Sequence, residues 1–318
     1  MALATPALGG RTAGDVVRAN LTKSQRDVPG LLALIALLTS VLVTILVLFT
    51  LIGTILVDAV PFLRDRGGSF VTRTIGSNPD VIGLWPGLYG SFIIGLGVIV
   101  IAFPLGIAAA VYLEEYAKPT RFTRFVQINI RNLAGVPAVV YGVLGFTIFA
   151  GWLGGLSGGK TVIAAALTLA VLVLPIVMIT SMEAIRAVPQ GIRDAGYGVG
   201  ASRWETIRDH VLSYAAPGIL TGTVLSLARA LGEAAPLIVV GALAGGVGLL
   251  PETSLDGKFT ALPMLIYGWS GQPTDADNRW QFSNSAAAAS VILLALVLFF
   301  NFAAILLRNR YERTRTGS

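Results

Sequence analysis

Apolar residues in this chain run in long unbroken stretches. They do not recur at the spacing of one helix face, and they do not alternate. Six stretches stand out, at roughly 31–57, 84–112, 133–153, 161–182, 214–244 and 286–307. Each is long enough to cross about 30 Å of hydrocarbon at about 1.5 Å per residue. The pattern predicts an all-α integral membrane protein with six transmembrane helices. Pro104, Pro137, Pro175 and Pro236 lie inside the stretches. In water a mid-helix proline argues against a helix, but in a membrane bundle neighbouring helices satisfy the backbone groups it frees.

Composition agrees with this pattern. Charged residues make up only 13% of the chain and hydrophobic residues 54%, whereas a soluble domain carries about 25% charged residues. The zero cysteine count excludes disulfides, cysteine zinc sites and thiol catalysis. With a single histidine, His210, a multi-histidine metal site or a Ser-His-Asp triad has no support. Residues 1–30 are polar, and the run that follows is too long for the core of a cleaved signal, so it reads as a first span. The net charge of +6 matters less than where the charges sit, and no nucleic-acid partner is expected. Sixteen of the 23 Lys and Arg residues fall in the N-terminal segment 1–30, the 113–132 and 183–213 loops and the tail 308–318. The positive-inside rule makes these segments cytosolic, with both termini inside. The loops 58–83 and 245–285 then lie outside. Trp85, Trp269 and Trp280 at those loops read either as interfacial belt residues or as part of a docking face for an external partner.

The stretch GGLSGGKT, residues 154–161, fits a phosphate-cradling loop at Gly154, Gly159, Lys160 and Thr161. Such a loop must follow a β-strand and open a helix that receives the phosphates. Here it follows a membrane span and lies on the non-cytosolic side, where ATP is not supplied. The match is read as false: the glycines form a hairpin turn, Lys160 is an interfacial charge, and the chain has no ATPase site of its own.

The 183–213 loop, EAIRAVPQGIRDAGYGVGASRWETIRDHVLS, is better ordered than a connector needs to be. Pro189 ends the incoming helix, a short helix follows over about 190–197, and Gly198 and Gly200 break it. Ser202-Arg203-Trp204-Glu205 has capping-box spacing and starts a helix into the fifth span. Within the loop, Asp194-Ala195-Gly196, then Gly200 after three residues, then His210-Val211-Leu212-Ser213 after nine more, resembles the EAA loop of bacterial ABC importer permeases. Ala195, Gly200 and Leu212 match that pattern; Asp194 keeps its acid in shorter form; Gly196, His210 and Ser213 depart from it. PLGIAAAVYLEEYA, NLAGVPAVVYGVLG, LPIVMITSMEAIRAVP, LARALGEAAPLIVVGAL and LLRNRYER extend the resemblance over nearly the whole chain from about residue 84. Together they resemble the A-type permease subunits of phosphate-specific importers, in the binding-protein-dependent permease family.

The resemblance implies a MetI-like ABC permease core over 84–307, following a first helix and outer loop at 31–83. The loop at 183–213 would hold a coupling helix, with Asp194, Ala195, Gly196, Gly200 and Leu212 meeting the ATPase. It implies phosphate as substrate, no cofactor in this chain, and ATP and magnesium in a partner. The implied partners are a homologous C-type permease, two ATPase subunits, a periplasmic or lipid-anchored phosphate-binding protein, and the lipids of a bacterial cytoplasmic membrane. A permease for sulfate or molybdate is an alternative. A secondary transporter driven by an ion gradient is another, although 31–153 and 161–307 show no repeat of the kind such transporters carry.

Arg229 and Glu233 lie inside the fifth stretch, four residues apart and so on one helix face. An ionisable residue there costs about 2.5–3.5 kcal/mol or more unless it faces protein or a watery path. Either the pair neutralises itself and locks packing, or it lines the translocation path. In the related permeases an Arg and a Glu here are implicated in phosphate passage, which favours the path. Gly218 and Gly222, and Gly241 and Gly245, have the spacing that lets helices approach, within the bundle or against a second permease.

Overall fold

The computed structural model describes residues 28–243, 254–274 and 277–316. The expected N-terminal segment up to residue 27, and Gly245, lie outside the described residues. The described chain is helical, with no strand among the described residues. The chain divides into two units between Gly53 and Thr54.

Helix α1 is Val28–Thr72, 45 residues, where about 20 suffice to cross a bilayer. Its residues 31–50 are exposed and apolar but for Thr39, Ser40, Thr44 and Thr50, as suits a segment solvated by lipid. The expected outer loop at 58–83 is therefore helical as far as Thr72. Its charges hide a seam of buried residues, Ala59, Phe62, Arg66 and Phe70, spaced by three and four and so sharing one face. This end packs into a cluster with Ile82, Leu84, Leu262, Leu265 and Trp269. The Phe62 and Phe70 rings meet edge-on at 4.9 Å. Arg66 is buried and donates to the carbonyls of Pro79 and Ile82, each at 2.7 Å. Trp269 is fully buried and Trp280 donates its indole N–H to Asp65 at 2.9 Å, so neither is a free interfacial ring. Trp85 is exposed.

Helices α2 (Trp85–Tyr116), α6 (Val162–Arg186) and α8 (Arg203–Gly232) are each long and apolar enough to span. α6 is the most deeply buried of the three. Its Leu169, Val173 and Val177 pack with Ile94, Val98 and Ala102 of α2 and with Leu227 and Leu231 of α8. A Cβ on Gly218 would lie 2.9 Å from the Ala184 methyl, and one on Gly222 would overlap Thr180. The first glycine pair thus seats α8 on α6 within the bundle. The last span begins helix α10, Phe282–Thr316, which runs on through most of the expected C-terminal tail.

Two other expectations change. The segment 113–132 is not a loop throughout: it contains helix α3, Arg121–Ala134. α3 joins α4 (Ala138–Trp152) at a 100° bend, so the third crossing, expected as one helix over 133–153, is a broken one. Pro137 supplies no N–H and disfavours helix at the residue before it, which accounts for the break. The fifth crossing, expected to run unbroken over 214–244, stops at Gly232. Glu233 is extended, at φ −83° and ψ 110°, before helix α9, Ala235–Val240. A continuous helix would press the Pro236 ring on the carbonyl of residue 232, so the chain opens there.

Candidate coupling and translocation sites

The turn at 154–161 is a structural corner. The four-residue helix α5, Gly154–Ser157, ends in Gly158 and Gly159 at φ 79° and 87°, a conformation that costs side-chain-bearing residues about 1–2 kcal/mol. Thr161 is buried, donates to the Ser157 carbonyl at 2.6 Å and caps α6 by accepting from the Ala164 N–H. The Lys160 ammonium lies 5.1 Å from the Phe146 ring centre. The hydroxyl and the cation that a phosphate loop would use are thus engaged in holding the corner.

At the other end of α6 the chain forms the expected helix, turn, helix. Pro189 precedes helix α7, Gln190–Gly198. Gly200 turns the chain at φ 83°, and Ser202 and Glu205 form a reciprocal capping box at the start of α8. Of the residues singled out in the sequence, Asp194 and Ala195 are exposed on α7, and Asp194 accepts from the Gln190 side chain at 3.3 Å. Gly196 faces inward. A Cβ there would lie 2.8 Å from the Thr206 side chain, so α7 rests on the first turns of α8. Leu212 is half-buried one turn further on, against the cluster that includes Ile185, Ile207 and Val211. The exposed surface also includes Tyr197, Val199 and Trp204, an apolar tip on an otherwise polar loop.

Two residues that sequence reasoning passed over tie this loop down. Glu114 and Glu115 sit in a π-helical turn that closes α2. Glu114 accepts two bonds from Arg186, at 3.2 and 2.5 Å. Glu115 is buried and accepts from Arg193 at 3.2 and 2.7 Å. Arg193 also donates to the carbonyls of Val188 and Ile185 at 2.8 and 3.1 Å, which satisfies the end of α6. Arg203 donates to the Glu115 carbonyl and lies over the Tyr116 ring, 4.8 Å from its centre. These groups border a polar recess of about 570 Å³. The signal in the sequence was LEEY: two adjacent carboxylates ending an apolar span, with Arg186, Arg193 and Arg203 in the one long basic loop.

Arg229 and Glu233 do meet, with Nε to Oε1 at 3.3 Å. Their setting is not mid-helix, since Glu233 is the residue at which α8 opens. Their side chains are 50% and 24% exposed, so the pair is accessible and not locked in the core. Asp194 and Leu212 lie on the loop and the helix that follows it; Arg229 and Glu233 lie at the far end of that helix, so α8 connects the two sites.

Residues 102–314 match the family described as binding-protein-dependent transport system inner membrane component. The chain is 33% identical over 261 residues to phosphate transport system permease protein PstA 1 of Mycobacterium tuberculosis, covering 80% of each chain. It is 35% identical over 223 residues to the PstA permease of Mycobacterium leprae, 70% of each. PstC 2 of Mycobacterium bovis is 32% identical over 62% of this chain and 68% of its own. Among solved structures, an alginate importer is 14% identical with a TM-score of 0.52, covering 86% of this chain and 95% of that one. The methionine transporter MetNI is 20% identical with a TM-score of 0.51, covering 72% and 94%. These two likenesses speak to the fold.

Proposed function

This chain belongs to the family of binding-protein-dependent transport system inner membrane components, and on that premise we propose that it is the A-type membrane permease of an ATP-driven phosphate importer. The identity to PstA permeases along four-fifths of the chain carries the reading. In it the termini and the α7 loop face the cytosol. The loop's exposed Asp194, Ala195, Tyr197 and Val199 meet a separate ATPase subunit, while Gly196, Gly200 and Leu212 set its shape and seating. A C-type permease completes the path, two ATPase subunits supply the hydrolysis, and a phosphate-binding protein delivers substrate from outside. ATP and magnesium belong to the ATPase, and this chain is a transport component.

Arg229 and Glu233 are assigned to the phosphate path. Open backbone at membrane depth is tolerated where it is buried in protein or lines a watery cavity, and the break at Glu233 with an accessible Arg229 fits the second case. A guanidinium offers paired donors to two phosphate oxygens. Glu233 competes for the same donors, which weakens the hold enough for release. A path needs passage, and a tight site would stall it.

The test is purification in mild detergent with identification of the co-eluting subunits. The reading expects a second permease, an ATPase and a phosphate-binding protein. Elution alone, with phosphate movement that needs no ATPase, would refute it.

A further inference from the structure

We propose that Glu115 and Arg193 form a fixed joint that carries the displacement of α7 into the second and fourth spans, α2 and α6. The proposal rests on the reading of the α7 loop as the ATPase-facing element. It names the residues through which that element acts.

Helix α7 is poorly held by its own backbone. It is nine residues long. At one end Pro189 breaks the helical hydrogen bonding, and at the other Gly200 turns at positive φ with open space around it. With a break at each end α7 is free to swing about them, held to α8 by the packing of Gly196 on Thr206. A side-chain tie removes that freedom, and Arg193 is placed to act as one. Its single guanidinium binds the Glu115 carboxylate at the end of α2 and the Ile185 and Val188 carbonyls at the end of α6. Arg203 adds the start of α8 by donating to the Glu115 carbonyl.

The burial differs between the two neighbouring pairs, and this gives the proposal an internal control. The Arg193 and Glu115 side chains are 14% and 7% exposed. At that depth the pair is less screened than an exposed one, and removing one partner leaves the other charge poorly compensated. Arg186, paired to Glu114, is 52% exposed, and such pairs hold weakly. The joint is therefore assigned to Glu115 and not to Glu114. Glu115 and Arg193 act through α7 and the span ends they join, and so are positioning residues.

The experiment uses the complete transporter in proteoliposomes and reads ATP hydrolysed per phosphate imported. Glu115→Gln and Arg193→Gln are expected to raise that ratio by about two- to thirtyfold, the range over which single residues of a coupling network act, with all subunits still co-purifying. Glu114→Gln is expected to stay near the wild-type ratio. The chain has no cysteine, so Glu115→Cys with Arg193→Cys gives a clean pair for a short bifunctional thiol reagent. Linking that pair is expected to return the ratio toward wild type, which a residue needed only for folding would not do. Unchanged ratios in both glutamine variants would overturn the joint. So would a cross-linked protein that hydrolyses ATP but no longer imports, because the joint would then have to open in each cycle. A wild-type assembly that imports no phosphate would overturn the underlying reading, and the joint with it.

Discussion

Replacing Gly222 with alanine adds one methyl group at the seam between α8 and α6. The added Cβ would overlap the Thr180 side chain, whose hydroxyl is bonded to the carbonyls of Ile176 and Val177 one turn back. Thr180 is β-branched, with few rotamers to retreat to, so the two helices must part. Overpacking of this kind costs about 1–3 kcal/mol. Gly68→Ala in α1 is the matched control. Its Cβ meets nothing within 4 Å, and removing a helical glycine gains about 0.5–1 kcal/mol. Gly222 is helical too, so that gain is common to both variants, and they should differ by the overpacking cost of about 1–3 kcal/mol. The assay is unfolding of the purified chain in mixed micelles, followed by circular dichroism as denaturing detergent is titrated in. If Gly222→Ala unfolds within about 0.5 kcal/mol of Gly68→Ala, a spread usual for inconsequential surface changes, the glycine pair does not set the α6–α8 spacing and the packing argument fails.

Arg229→Ala should abolish phosphate uptake while the subunits still co-purify; uptake at the wild-type rate would remove Arg229 from the path. Gly200→Val should weaken co-purification with the ATPase, because a β-branched residue at φ 83° is strained. Gly200→Asn should retain it, since asparagine tolerates that region and the space around Gly200 is open. Equal loss in the two variants would mean that the side chain, not the turn, is at fault. Arg66→Ala should destabilise the α1 end by about 2–4 kcal/mol, by leaving the buried Pro79 and Ile82 carbonyls unpaired. Limited proteolysis across residues 73–84 reads this, and unchanged cleavage would refute it.

The features legible in the sequence are those decided within a few residues. The apolar runs marked the crossings because the bilayer selects on local hydropathy alone. The Ser202–Glu205 capping box was legible because both partners lie within one turn. The extension of α1 was missed because Asp58, Arg64, Asp65 and Arg66 read as loop. What satisfies Arg66 is a pair of carbonyls 13 and 16 residues away, brought near only by the fold. The opening at Glu233 was missed because an apolar run averages over it, although Gly232 and Pro236 flank the break. Pro137 likewise bends the third crossing without changing its hydropathy. The Glu115–Arg193 pair joins residues 78 apart in the chain, and a span end and a loop carry no local signal that they will meet.

The most direct test of the account is uptake of radiolabelled phosphate into proteoliposomes that hold the assembled transporter, with ATP inside and the phosphate-binding protein outside. The account predicts uptake that requires both ATP and the binding protein and persists when ionophores collapse the ion gradients. Uptake that ignores ATP and disappears with the gradients, or import of sulfate or molybdate in place of phosphate, would contradict it.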